Sequence, residues 1–155
     1  MDLSKISQLY IAATEAIKIN SLILCNFTVL PPQLCPEQIE IYDLTIPSII
    51  DFVEQGFGIG FGISRKAIII HGTPTAPTRF DISLIEEGVP EDTADIPFHL
   101  SADFAQNAVI RDAWIKGKGW IRNQRAQGLP FTVGQSFKLE FRIAPRNGID
   151  VLIIN

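Results

Sequence analysis

The sequence predicts an all-β fold, a sandwich or barrel built from short antiparallel strands. Apolar residues recur with a period of two in most segments, where a helix would show a period near 3.6. The segments are short, near-regularly spaced and separated by Pro and Gly. Asn147-Gly148 between two apolar runs is in addition a strong hairpin signal. The 155 residues suffice for about one domain with a substantial core.

The first half of the chain contains four predicted strands. Residues 21–28 form a mostly apolar run, residues 38–42 alternate as a half-buried strand should, and residues 43–50 follow after a tight turn. Residues 67–72 form a β-branched run that ends at a glycine. Residues 3–17 fit either a helix, from the spacing of their apolar side chains, or a strand, and the sequence leaves both open.

Strands in the second half are predicted over residues 79–85, 98–103, 137–143 and 149–154, the last two joined by the hairpin. In residues 98–103, His99, Ser101 and Asp103 face opposite to the apolar positions. Between the strands predicted over residues 43–50 and 67–72 lies a run of alternating glycines, residues 56–62. This run lacks GxGxxG spacing and any following GK[ST], so it predicts a closely packed or edge strand and no nucleotide loop.

Composition excludes several partners. The net charge of −4, without any basic tract, argues against nucleic acid and anionic membranes. No apolar run approaches the length of a membrane span, and charged residues interrupt the first twenty positions, so no signal peptide is expected. Cys25 and Cys35 are not in a CxxC pattern, which argues against zinc binding and dithiol redox chemistry. Free thiols in a reducing compartment are expected in preference to a bridge between them.

Enzymatic function is not predicted. The two histidines, His71 and His99, are not in a metal-binding spacing, and no GxSxG elbow occurs. Asp103 and Asp112 are a carboxylate pair in principle, but nothing else supports glycoside hydrolysis. We therefore expect no cofactor, no metal and no catalysis.

Residues 66–155 resemble a galectin carbohydrate-recognition domain. Residues 130–137 (PFTVGQSF) resemble the PFxxGxxF segment of that family. The sugar-binding motifs are matched in part: residues 99–103 read HLSAD against HxNxR, residues 110–112 read IRD against VxN, and residues 120–125 read WIRNQR against WGxExR. His99, Trp120 and Arg125 match, whereas Ser101, Asp103, Asp112 and Asn123 depart.

The resemblance implies a galectin-like, concanavalin-type jelly-roll β-sandwich of two antiparallel sheets with a rotated strand order. Residues 1–42 resemble the C-terminal strands of the family, residues 43–65 bridge the two parts, and residues 66–155 resemble the N-terminal and central strands. Two origins fit, a circular permutation within one domain or strand exchange between two chains as a swapped dimer.

The resemblance also implies a site on one sheet face. Trp120 is expected to stack on the sugar, although a core position for it and a competing role for Trp114 remain open. The remaining residues are expected to hydrogen-bond sugar hydroxyls: His99, Ser101, Asp103, Asp112, Asn123 and Arg125. Because Asp103 stands where the family has an arginine, a donor has become an acceptor. The alternative is a solvated sheet face without a ligand.

The expected function is a galectin-type lectin module with altered or weakened β-galactoside specificity. The alternative is a protein–protein interaction or self-association module on the same scaffold. The expected partners are a glycan and a second copy as a homodimer, and the expected location is the cytoplasm or, by export without a signal peptide, outside the cell.

Overall fold

The computed structural model describes residues 5–13, 16–27, 37–57, 65–144 and 148–154, with the backbone alone at positions 26, 27, 37, 65, 143 and 144. These residues contain no α-helix. The twelve strands are β1 Gln8–Ala13, β2 Ile17–Phe27, β3 Glu37–Leu44, β4 Ser48–Asp51, β5 Arg65–Pro74, β6 Arg79–Ile85, β7 Ile96–Asp103, β8 Ala108–Ile115, β9 Gly119–Trp120, β10 Gln124–Gln127, β11 Phe137–Ala144 and β12 Gly148–Ile154.

The strands form two antiparallel sheets. The first has seven strands in the order β10-β8-β7-β6-β1-β4, with β9 paired to β8, and the second has five in the order β12-β11-β5-β2-β3. The predicted all-β sandwich of two antiparallel sheets is confirmed.

An aromatic cluster joins the two sheets beneath β6. Phe80 of β6 is fully buried, and its ring stacks on Phe137 of β11 at 6.0 Å and meets Phe131 edge-on at 5.2 Å. Each such aromatic pair contributes about 0.5–1.5 kcal/mol beyond the burial of its area. Because successive side chains alternate, fixing Phe80 and Ile82 inward turns the residues between and before them, Asp81 and Arg79, toward the outer face of the seven-stranded sheet.

The ambiguous N-terminal segment is a strand where it is described. Leu9 and Ile11 of β1 are fully buried and alternate with partly exposed neighbours, and β1 pairs with β6 on one side and β4 on the other. Helical spacing fitted Leu9 together with Ile6 and Ala13, and pairing between two strands decides for the extended form because it satisfies the backbone on both edges. β1 thus belongs to the seven-stranded sheet and β2 to the five-stranded sheet, each beside strands from later in the chain.

The predicted strand over residues 43–50 is divided. β3 ends at Leu44 and β4 begins at Ser48, with a cis Ile46-Pro47 bond between them. Pro47 has no N–H to donate to a ladder, which explains the break. The predicted bridge over residues 43–65 therefore contributes an edge strand, β4, to the seven-stranded sheet. The proposed permutation and its alternative, strand exchange, stay predictions.

Three further predictions have mixed outcomes. Cys25 is disulfide-bonded, so the free-thiol prediction is wrong for this residue, and Cys35 lies outside the described residues. β11 and β12 pair antiparallel as the hairpin signal predicts, while positions 145–147 of the turn are outside the described residues. Of the glycine run, only Gly56 and Phe57 are described, and Phe57 is buried against Phe52 with ring centroids 5.3 Å apart.

Candidate functional site

Polar side chains line up across the outer face of the seven-stranded sheet. Backbone register places Ser83 of β6 opposite His99 of β7, and His99 opposite Asp112 of β8. The neighbouring row sets Asp81 of β6 opposite Ser101 of β7. Residues directly opposite on antiparallel strands share a face and approach within about 5 Å. A cavity of about 640 Å³ opens over these rows, lined by Tyr10, Ala12, Arg79, Asp81, Ser83, Pro90, Glu91, Ile96, His99, Ser101, Ile110, Asp112, Trp120 and Asn123.

Trp120 forms one wall of the cavity and is 42% exposed, which excludes the core position. Its ring lies 4.8 Å from the ring of His99 at a tilt of 52°. The indole Nε1–H donates to Oε1 of Glu91 at 3.1 Å, so the loop before β7 fixes the plane of the ring. Trp114, its cross-strand partner on β8, is half-buried and does not line the cavity.

The two ring nitrogens of His99 face Ser83 and Asp81. Its Nδ1 is 2.7 Å from Oγ of Ser83, and both residues are buried. Its Nε2 lies 3.8 Å from Oδ1 of Asp81, too far for a hydrogen bond. Burial lowers the pKa of His99 below 6.5, and the nearby carboxylates of Asp81 and Asp112 offset this only in part. The imidazole is therefore neutral at pH 7.

Asp112 organises the segment between β9 and β10. Its Oδ1 accepts hydrogen bonds from the backbone N–H groups of Ala113 at 2.7 Å and Arg122 at 2.9 Å. Partial burial raises the pKa of Asp112, but the N–H groups of Arg122, Asn123 and Ala113 outweigh it and hold the pKa below 3.8. The carboxylate is ionised and fixes the backbone that carries Trp120. Asn123 adopts a φ of 45°, a left-handed conformation that asparagine tolerates better than most residues.

The structure brings together five of the seven sequence-predicted residues: His99, Ser101, Asp112, Trp120 and Asn123. Asp103 is buried at the end of β7, where its Oδ1 accepts from the backbone N–H of Gln106 at 3.1 Å and its Oδ2 from the amide Nε2 of Gln106 at 2.9 Å. Arg125 is exposed on the edge strand β10, opposite Ile110. Neither Asp103 nor Arg125 lines the cavity.

Five lining residues with polar side chains were missed by sequence reasoning: Tyr10, Arg79, Asp81, Ser83 and Glu91. For β6 the signal was present, because Phe80, Ile82 and Leu84 alternate inward and so turn the charged and hydroxyl side chains outward. Arg79 and Asp81 form an ion pair, with Nε of Arg79 2.9 Å from Oδ1 of Asp81. No sequence pattern marked Glu91, which follows from loop geometry with a φ of 61°.

Ser101 is the least solvated polar group of the site. It is 1% exposed, and its Oγ has no hydrogen-bond partner among the described residues. Such an unpaired buried hydroxyl normally costs free energy unless a ligand or water pairs with it. Its position in the cavity lining therefore points to a bound polar group.

The cavity continues toward the edge of the sheet. A second cavity of about 730 Å³ shares Tyr10, Ala12, Arg79 and Asp81 with the first and reaches Ile46 and Pro47. Together they form one groove that crosses the strands, walled by Trp120 at one end and apolar at the other.

Within the described ranges, no group of three or more His, Cys, Asp and Glu side chains is arranged to hold a metal ion. In the same part of the chain, no helix has the length and apolar character needed to cross a membrane.

The chain is similar in sequence to galactoside-binding lectins. The profile of the galactoside-binding lectin family matches residues 59–148, more than half of the chain. The chain is 29% identical over 89 residues to a 32 kDa beta-galactoside-binding lectin of Haemonchus contortus; the match covers 57% of this chain and 29% of that protein. The chain thus spans less than a third of the length of that relative. No solved structure matches this chain significantly. The chain belongs to the galactoside-binding lectin family, the galectins.

Proposed function

We propose that this chain is a non-enzymatic carbohydrate-binding module with altered or weakened β-galactoside specificity. The observation that carries the proposal is the exposed indole of Trp120 beside the neutral imidazole of His99, at the wall of a polar cavity. A flat aromatic ring covers the apolar C–H face of a sugar, and adjacent fixed polar groups read its hydroxyls. The beta-galactoside-binding lectin of Haemonchus contortus supports a sugar as the ligand class.

Altered specificity is inferred from two positions. Where the family motif has an arginine, Asp103 stands, and its two oxygens are already used by Gln106. Where the motif has an acid, Asn123 stands in a left-handed turn. The bidentate contact that an arginine at position 103 would make with the sugar is therefore missing, and hydrogen bonds to charged groups are worth about 1.5–3 kcal/mol each. We infer that a β-galactoside binds this chain weakly and that another glycan binds better.

The disulfide at Cys25 bears on where the module works. Disulfides persist in oxidising compartments and are rare in the cytosol. Of the two locations predicted from the sequence, it favours export over the cytoplasm.

The test is a glycan array followed by titration of the best ligand into the wild type, Trp120→Ala and the control Tyr42→Ala. Tyr42 is an aromatic residue that is 62% exposed on β3 of the opposite sheet. The exposed part of Trp120 is about 100 Å², taking 42% of roughly 250 Å² for a tryptophan. A sugar on one face covers about half of it, worth about 1.3 kcal/mol.

The expected result is about tenfold weaker binding for Trp120→Ala and no change for Tyr42→Ala. Equal affinity of Trp120→Ala and the wild type would overturn the stacking role. A blank array together with a stable dimer in solution would instead favour an interaction module without a sugar ligand.

A further inference from the structure

The cavity is rich in negative charge. Its ionised groups are the carboxylates of Asp81, Glu91 and Asp112 and the guanidinium of Arg79, while His99 is neutral at pH 7. Arg79 is already paired, since its Nε lies 2.9 Å from Oδ1 of Asp81. Three carboxylates against one partly neutralised cation leave a negative site, which repels anionic ligands and attracts cationic ones.

We propose that this site selects amino sugars, hexoses that carry a free protonated amine, and rejects uronic acids and other anionic sugars. The proposal rests on the carbohydrate-binding function above and narrows its substrate class. Three donors on an ammonium group match an acceptor-rich pocket better than the single donor of a hydroxyl does.

Two groups mark where the ammonium binds. Asp81 and Ser101 are cross-strand partners on β6 and β7, so their side chains stand next to each other on the cavity side. Oδ2 of Asp81 accepts no hydrogen bond from the described residues, and that side chain is 26% exposed. Oγ of Ser101 is buried and lacks a partner within the same residues. An ammonium between them satisfies both oxygens and compensates the charge.

A metal ion is a poorer match for this charge. The carboxylates approach the cavity from β6, β8 and the loop before β7, and no metal-binding group of His, Cys, Asp and Glu occurs in the described part of the chain. Asp112 and Glu91 are also engaged, by the backbone N–H groups of Ala113 and Arg122 and by the indole of Trp120. The positive charge is therefore expected to arrive on the ligand.

The experiment measures affinity for three matched forms of the methyl glycosides of galactose and of glucose: the neutral sugar, the 2-amino-2-deoxy sugar and the uronic acid. Calorimetry at pH 7 and low ionic strength should give about tenfold tighter binding of the amine than of the neutral form, and weaker binding of the acid. Because Asp81 is partly exposed, added salt should shrink these differences.

Two variants test the charge in opposite directions. Asp81→Asn removes a carboxylate and releases Arg79 from its ion pair, so the preference for the amine should disappear and uronic acid binding should improve. Arg79→Gln removes the cation and should enlarge the preference for the amine several-fold. The control is Asp150→Asn, because Asp150 is exposed on β12 of the other sheet and outside the cavity.

The outcomes separate the two proposals. Binding of neutral sugars without a preference for the amine, or tighter binding of the uronic acid, overturns this inference and leaves the lectin function intact. Absence of binding across the whole panel overturns both. Variants that shift the three sugar forms equally would show a loss of site structure and would also overturn the charge argument.

Discussion

The hydrogen bond between Ser83 and His99 should be worth more to this protein than an exposed bond of the same chemistry. Ser83 is 3% exposed and His99 9%, and Oγ lies 2.7 Å from Nδ1. Ser83→Ala leaves Nδ1 of a buried imidazole unpaired, at a cost of about 1–3 kcal/mol. Because the His99 side chain is still 11% exposed, water recovers part of this, and we expect a loss of about 1.5 kcal/mol.

The matched control is Ser136→Ala, which removes the exposed hydroxyl pair between Ser136 and Thr73 at 3.0 Å. Its expected cost lies within about 0.5 kcal/mol. Urea denaturation at pH 7.5 measures both variants, with an unchanged m-value as the check that only stability moved. For a chain of this size, Ser83→Ala should lower the melting temperature by about 3–6 °C. A loss equal to that of Ser136→Ala would refute the claim that burial makes this bond expensive to break.

Two further predictions concern the same wall of the cavity. Burial lowers the pKa of His99 below its unfolded value of 6.5, so the unfolded state binds the proton more readily. Stability should therefore fall as the pH drops through 6.5 and level off below the folded pKa, a slope that His99→Gln should flatten in denaturant titrations. The loss from Asp112 begins only below its unfolded value of 3.8, so the effect of His99 begins at the higher pH. Glu91→Ala should release the indole of Trp120 and change its fluorescence. It should also weaken neutral glycan binding two- to threefold, which is roughly the value of one exposed hydrogen bond. Glu91→Gln keeps an oxygen acceptor for the indole and should bind the glycan as the wild type does.

The period-two pattern of apolar residues predicted most of the fold, because burial of one face of a sheet requires an apolar residue at every second position of a strand. Phe80, Ile82 and Leu84 could be assigned to an inward face from their spacing alone, and the structure buries all three. The N-terminal segment could not be decided, since Ile6, Leu9 and Ala13 also fit one face of a helix. Its strand form depends on pairing with β4 and β6, which are distant in sequence.

The sequence predicted the cavity-lining residues of β7, because alternation along a single strand determines which side chains face the cavity. It missed residues whose positions depend on loops or on neighbouring strands. Alternation along β7 located His99 and Ser101 on the cavity side. It also assigned Asp103 there, although the turn after β7 draws that carboxylate onto Gln106. An aspartate side chain can hydrogen-bond the backbone of the turn that follows it instead of pointing toward the cavity. The alternation of residues along a strand does not predict such local hydrogen bonds.

In place of Asp103, a different strand presents a carboxylate to the cavity. Asp81 of β6 stands opposite Ser101, faces the cavity and keeps Oδ2 unoccupied by the described residues. The family motifs on β7 to β10 indicate which hydrogen-bond donors this chain lacks, because the residues that differ from the family lie on those strands. Those motifs do not indicate which acceptors replace the missing donors, because Asp81 and Ser83 lie on β6, outside the motifs. Arg79 and Asp81 of β6 balance each other, and Glu91 and Asp112 make the cavity negative. Because Arg79 and Asp81 line the cavity, ligand preference should follow substitutions at these two residues more closely than substitutions at Asp103 or Arg125, which do not line it.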